Sequence, residues 1–141
     1  MNLHPALVHF PIALLTLYAV CELVWSQKLS ENISWFWWKF GLLFFGVLSS
    51  IPTILTGILA RDLIGNSELI NLHKNFAFST IAVFSIILIL YFKRLLINST
   101  SIRLYALLGL ALITITGALG GAVAFGPDVD PLVSFIYHTF F

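Results

Sequence analysis

Residues 4–25 read H-P-A-L-V-H-F-P-I-A-L-L-T-L-Y-A-V-C-E-L-V-W, an apolar stretch whose one charged residue is Glu22. About 20 apolar residues in helical conformation are enough to cross the hydrocarbon core of a bilayer. Two histidines, His4 and His9, lie where this stretch begins, and a proline follows each within two positions. The stretch therefore predicts a first membrane-spanning helix that carries imidazoles at its start.

The composition supports a membrane protein. The chain has 141 residues, of which 60% are hydrophobic and 9% charged, and its mean hydropathy is +1.01. A water-soluble domain needs more polar surface than this composition supplies. The net charge of +1 offers no basic surface for nucleic acid, and the single cysteine, Cys21, excludes an internal disulfide and covalent haem attachment.

Polar breaks divide the rest of the chain into further apolar segments. We predict helices over residues 4–25, 35–60, 67–95 and 102–125, followed by an interfacial, amphipathic tail over residues 126–141 that is too short to span. Ser67 is expected to cap the third helix, and Glu22 to pair with Lys28 or Lys39. The predicted fold is a single all-α domain, an integral membrane four-helix bundle, with no internal repeat evident.

Four spans alternate in direction, so both termini and all four histidines are expected at one face of the bundle. Most basic residues fall at the other face: Lys28, Lys39, Lys93, Arg94 and Arg103. Cytoplasmic loops of membrane proteins are enriched in lysine and arginine. We therefore expect the histidines to face outward, toward the periplasm if the protein lies in a bacterial inner membrane.

The histidines are candidate haem ligands, because imidazoles from two helices of a bundle can occupy both axial positions of a haem iron. His9 and His73 fit best, since both are predicted one to two turns inside helices that can be diagonal in the bundle. His4 and His138 are secondary candidates. The alternative is that these histidines are interfacial residues whose polar tips remain in water.

Other residues at the same face could complete the site. Arg61 is placed to pair with a haem propionate. Gly117, Gly120 and Gly121 could line a slot for a flat ligand, although the G-x-x-x-G spacing of Gly117 and Gly121 favours close helix packing.

Two other ligands remain open. A copper or zinc ion could use His4, His9 and His73 with Asp62, but the i, i+5 spacing of His4 and His9 does not place them on one helical face. A quinone could bind His4 or His138. The sequence shows no nucleophile with an adjacent base and no phosphate-binding loop, so a hydrolase or kinase has no support.

Four features together resemble the DUF2231 family of small bacterial membrane proteins. They are H-P-A-L-V-H-F-P-I-A-L-L at residues 4–15, T-G-I-L-A-R-D at 56–62, His73, and T-G-A-L-G-G-A-V-A-F-G at 116–126. The resemblance implies a cytochrome-b-like domain associated with iron–sulfur or c-type cytochrome modules, and it points to His4, His9 and His73. Many members have a histidine where this chain has Ala118, so a second haem would need His138 or another group.

We accordingly expect an electron-transfer subunit that binds haem b, one or two per chain. It would exchange electrons with a c-type cytochrome, an iron–sulfur protein or a quinol, as one link of a relay rather than as a complete enzyme. The alternatives are a non-redox anchor or assembly subunit of a larger complex, and a copper-handling protein.

Overall fold

A computed structural model describes residues 4–24, 26, 29, 32–65, 67–93 and 99–141. Within these residues the regular structure is helical throughout. The helices are α1 (His4–Leu7), α2 (His9–Leu23), α3 (Ile33–Ile64), α4 (Glu68–Phe92), α5 (Ser99–Phe125) and α6 (Pro131–Phe140). The predicted helix ends at residues 25 and 94–95, and the predicted positions of Lys28 and Arg94, lie outside the described residues.

The predicted four-span membrane bundle is confirmed. The segment His4–Leu23 and the helices α3, α4 and α5 are each long and apolar enough to cross a bilayer. The second span is longer than the predicted 35–60, because its helix continues over Ile33–Ile64. Ser67 caps α4 as expected, its hydroxyl accepting a hydrogen bond from the backbone N–H of Ile70 at 3.2 Å.

Pro11 interrupts the first span without redirecting it. Proline has no N–H, so the carbonyl of Leu7, one turn earlier, has no backbone donor in the helix. Val8 separates α1 from α2, yet its backbone angles, φ −62° and ψ −26°, are those of a right-handed helix. The hydroxyl hydrogen of Thr53 on α3 is shared between the Leu7 carbonyl, at 3.3 Å, and the Ser49 carbonyl of its own helix, at 3.0 Å. The two helices α1 and α2 thus form one span.

The spans pack in a ring. Helix α2 contacts α3 and α5, and α4 contacts the same two helices. The first span and α4 therefore lie diagonally opposite one another, as the sequence predicted for the two histidine-bearing spans. We call α1–α3 the first hairpin and α4–α5 the second; both run in the same direction through the membrane.

The two hairpins share a packing feature. A Cβ on Gly46 would lie 2.5 Å from a methyl carbon of Leu15, and one on Gly109 would lie 2.8 Å from the ring of Phe84. Leu15 and Phe84 are 69 positions apart, and the two glycines are 63 apart. In each hairpin, a glycine in the returning helix, α3 or α5, thus allows a fully buried side chain of α2 or α4 to approach its backbone.

A buried polar cluster joins three spans at the end of the bundle away from the histidines. Lys39 on α3 forms an ion pair with Glu22 on α2 at 2.8 Å, which confirms one of the two predicted pairings. Tyr91, near the end of α4, donates its hydroxyl hydrogen to the same carboxylate oxygen. Glu22 is only 6% exposed. Buried charge of this kind is stable only when it is paired, so the cluster ties the three helices together.

Helix α6 begins after a sharp turn. Gly126 has φ +98°, a backbone conformation that favours glycine, and it ends α5. Asp130 caps α6 by accepting hydrogen bonds from the backbone N–H groups of Leu132 and Val133, both at 2.9 Å. The tail is therefore a short helix that returns toward α5, consistent with the predicted amphipathic segment.

Candidate histidine site

His4 is held between the first and second spans. Its Nδ1 lies 3.1 Å from the backbone carbonyl oxygen of Thr53 and 3.3 Å from the hydroxyl oxygen of Thr56, both on α3. Its ring also packs against Gly57, where a Cβ would lie 2.9 Å from the ring carbon Cε1. The absence of a side chain at residue 57 thus allows the imidazole to rest on the α3 backbone.

His73 is held in the same way by the second hairpin. Its Nδ1 lies 3.0 Å from the backbone carbonyl oxygen of Thr116 on α5. A Cβ on Gly120 would lie 3.1 Å from Cε1 of this ring. A threonine carbonyl and a glycine four residues later therefore position each imidazole.

The hydroxyls of the two supporting threonines, Thr53 and Thr116, also make similar contacts in the two hairpins. Thr53 donates to the carbonyl of Ser49 at 3.0 Å, and Thr116 donates to the carbonyl of Leu112 at 2.8 Å, each four residues earlier in its own helix. The Thr116 hydroxyl also lies 2.9 Å from that of Thr80 on α4. Thr116 thus contacts α4, the span that carries His73. Thr53 likewise contacts the first span, which carries His4, through the carbonyl of Leu7.

The hydrogen bonds define the tautomer of both rings. A carbonyl oxygen can only accept, so Nδ1 of His4 and of His73 must carry the hydrogen. In a neutral imidazole the lone pair available to a ligand then lies on Nε2. A backbone carbonyl that fixes Nδ1–H is the usual support of a metal-binding histidine, because it orients the ring and raises its basicity.

His4 and His73 lie at the same end of the bundle. They come from diagonal spans and belong to different hairpins. His4 begins α1, and His73 lies in the second turn of α4. The structure thus gives His4 and His73 equivalent supports, whereas the sequence analysis favoured His9 and His73.

His9 is placed elsewhere. Its side chain is exposed on α2, and its Nδ1 lies 2.7 Å from the carbonyl oxygen of Pro5, one turn earlier in the same span. His138 is also exposed, and its Nε2 lies 3.4 Å from a carboxylate oxygen of Asp128 in the turn before α6. Both of these predicted candidates have partners away from the His4 and His73 rings.

Of the three predicted glycines, only Gly120 contacts a histidine. A Cβ on Gly121 would instead meet Val133 of α6 at 3.2 Å, and one on Gly117 would meet nothing within 4 Å. The predicted close helix packing is therefore present at Gly121, against α6, while a Cβ on Gly117 would have open space. Arg61 is half-buried one turn after Gly57, at the end of α3 where the histidines lie.

The sequence analysis missed Thr53, Gly57 and Thr116. A signal was present, because T-I-L-T-G at residues 53–57 and T-G-A-L-G at 116–120 share the pattern T-x-x-x-G. In each span the threonine of this pattern also lies seven positions after another glycine, Gly46 or Gly109. Comparing the second and fourth spans in register would have found them.

The described part of the chain contains no group of three or more histidine, cysteine, aspartate or glutamate side chains that could hold a metal ion. A bare copper or zinc ion usually needs three or four such ligands. A haem iron needs only two axial ligands, because the porphyrin supplies the other four. The described histidines supply two imidazoles with the same kind of support, His4 and His73.

The geometry defines a class: a four-span helical membrane protein with two supported imidazoles at one end of its bundle. The chain belongs to the DUF2231 family, described as predicted membrane proteins, whose model matches residues 1–130. Among curated proteins and solved structures, nothing matches the chain. As an integral membrane protein, it contacts the lipid bilayer through its spans.

Proposed function

We propose that the protein is an electron-transfer subunit that binds one b-type haem, with His4 and His73 as the axial ligands. The observation that carries the proposal is the shared support of these two rings: a threonine carbonyl at Nδ1 and a glycine beneath the ring, in both hairpins. This assignment replaces His9 by His4 in the ligand pair expected from the sequence.

The residues of the chain would act as follows. The Thr53 and Thr116 carbonyls would hold the rings in one orientation, with the ring hydrogen on Nδ1. Gly57 and Gly120 provide the space in which the rings rest. Arg61, at the same end, would pair with a carboxylate of the bound group. The group itself would supply reversible one-electron chemistry, with a potential set by its axial ligands and surroundings.

The residues at the opposite end of the bundle argue against a second haem there. There the equivalent positions of the two diagonal spans hold Glu22 and Tyr91, which hydrogen bond directly to each other. Neither is an imidazole, and Lys39 pairs with the same carboxylate of Glu22. His138, the other group that could have served a second haem, is exposed on α6 and paired with Asp128.

We further propose that the protein lies in a bacterial inner membrane with the histidine end toward the periplasm. The support is the excess of basic residues at the other end. Its electron donor or acceptor would be a c-type cytochrome, an iron–sulfur protein or a quinol. These partners follow from the family resemblance and from the small size of the chain.

The direct test is a reduced-minus-oxidised optical spectrum of the protein purified from cells supplied with haem. We expect the bands of a six-coordinate b-type cytochrome. His4→Ala and His73→Ala should each abolish or strongly alter the spectrum, whereas His9→Ala and His138→Ala should leave it intact. Loss of the bands in His9→Ala, with His4→Ala unaffected, would restore the pair predicted from the sequence.

A colourless protein would contradict the proposal as a whole. Elemental analysis of the same sample would then distinguish the remaining alternatives. Stoichiometric copper would indicate a copper-handling protein, and no metal would indicate a structural or assembly subunit.

A further inference from the structure

Helix α6 lies outside the ring of spans. It packs against α5 through Val133 and Ile136, which contact a buried cluster that includes Ala118, Leu119 and Ala122. Its end reaches α4, where the ring of Phe140 lies 5.2 Å from that of Phe76. The helix therefore covers the outer side of the second hairpin, a side that would otherwise face lipid.

The depth of these contacts can be read from the helix rise of about 1.5 Å per residue. Gly121, which faces Val133, lies four residues before the end of α5, or about 6 Å below it. Phe76 lies eight residues after the start of α4, or about 12 Å below it. Interfacial helices bury their apolar side about 5–10 Å into the headgroup and acyl boundary, a range that includes the contact at Gly121 but not the deeper one at Phe76.

The surface of α6 has three sides of different chemistry. Val133 and Ile136 are buried against the protein. Ser134 and His138, one turn apart, both lie near the Asp128 carboxylate, at 3.3 and 3.4 Å. A third side carries apolar residues exposed in this chain: Leu132 at 54% and Phe135 at 72%.

We propose that this third side of α6, formed by Leu132 and Phe135, binds the acyl chains of the bilayer leaflet at the histidine end. The contact continues the lipid-facing surface of α4 and α5, against which α6 packs. The polar side would then face water, where Asp128 and His138 can keep their hydration. An exposed phenylalanine beside the spans is stabilised by transfer into lipid, whereas in water it would cost free energy in proportion to its apolar area.

The proposal is independent of haem binding, and it can be tested by spin labelling. In a Cys21→Ser background, single cysteines are introduced as Phe135→Cys and Ser134→Cys and labelled with a nitroxide. The protein is then placed in phosphatidylcholine nanodiscs. Collision rates are measured with oxygen, which concentrates in lipid, and with a water-soluble nickel chelate.

We expect the label at position 135 to collide mainly with oxygen and the label at 134 mainly with the nickel chelate. Leu132→Cys provides a second lipid-facing position and should behave like Phe135→Cys. Preferential collision of both apolar positions with nickel would place α6 in water and overturn the proposal. Protection of both from the two reagents would also overturn it, because the side would then be covered by protein, such as a second copy of the chain.

Discussion

Glu22 and Tyr91 are separated by 69 positions, the same number that separates His4 from His73. Each pair has one member on the first span and one on α4, the two diagonal helices of the ring. At one end of the bundle the two members bond directly to each other. At the other end each ring is hydrogen bonded through Nδ1 to a threonine carbonyl of the neighbouring helix.

This difference between the two ends predicts the haem content. We expect one haem per chain, because only the histidine end offers two imidazoles from opposite spans. The measurement is haem quantification in the pyridine haemochrome assay, divided by protein concentration from amino-acid analysis. A value of two haems per chain would contradict the assignment of the opposite end to a closed polar cluster.

The glycines beneath the histidines predict a graded loss of haem affinity. Gly57→Ala would place a Cβ 2.9 Å from the His4 ring, and Gly120→Ala would place one 3.1 Å from His73. We expect the His4 ring to move more, so that Gly57→Ala weakens haem retention about 10–100-fold, as disturbance of a ligand's support commonly does. Gly120→Ala should have a smaller effect. Haem transfer to apomyoglobin measures the retention.

Gly117→Ala is the matched control, because a Cβ there meets nothing within 4 Å. Alanine is also favoured over glycine in a helix by about 0.5–1 kcal/mol, so this variant should be at least as stable as the wild type. Equal haem loss in all three variants would show that the two close contacts are not specific supports.

The buried ion pair predicts a large stability effect at the opposite end. Lys39→Met would leave the Glu22 carboxylate buried without its cation, at a cost of about 3–5 kcal/mol in the free energy of unfolding. Unfolding in mixed micelles with increasing dodecyl sulfate measures the change. The double variant Glu22→Gln/Lys39→Met removes both charges and should recover most of the loss. A double variant as unstable as Lys39→Met would show that pairing is not the cause.

The contact between Thr53 and Leu7 predicts energetic coupling to Pro11. Thr53→Val removes the hydroxyl that donates to the Leu7 carbonyl, and should cost about 0.5–1.5 kcal/mol. Thr114→Val is the control, since that exposed hydroxyl donates within its own helix, to the carbonyl of Leu110. Pro11→Ala would restore a backbone donor for Leu7.

A double-mutant cycle of these two substitutions isolates their coupling. In the Pro11→Ala background, Thr53→Val should cost less than in the wild type, because the carbonyl then has a second donor. Strict additivity would mean that the Thr53 hydroxyl does not compensate for the proline.

Much of the fold could be predicted from the sequence because lipid imposes simple requirements on a chain. Polar breaks between apolar stretches located the four spans, and alternation of direction placed His4, His73 and His138 at one end. Ser67 was recognised as a helix cap, since its hydroxyl replaces a missing backbone partner at the start of α4. These features depend on length and local chemistry alone.

The ligand pair was harder to predict, because apolar periodicity does not orient a membrane helix. Lipid-facing and core-facing positions are both apolar, so the pattern around His9 does not show which side of the span faces the bundle. His9 was preferred over His4 on depth alone. The structure places His9 on the exposed side, and His4 against Gly57, a contact that depends on residues 53 positions apart.

The agreement between the two hairpins makes each one an internal reference for the other. Each hairpin supplies one imidazole, one supporting carbonyl and one glycine, and both have the same direction through the bilayer. A substitution at one support can therefore be compared with the same substitution 63 positions away in the same chain.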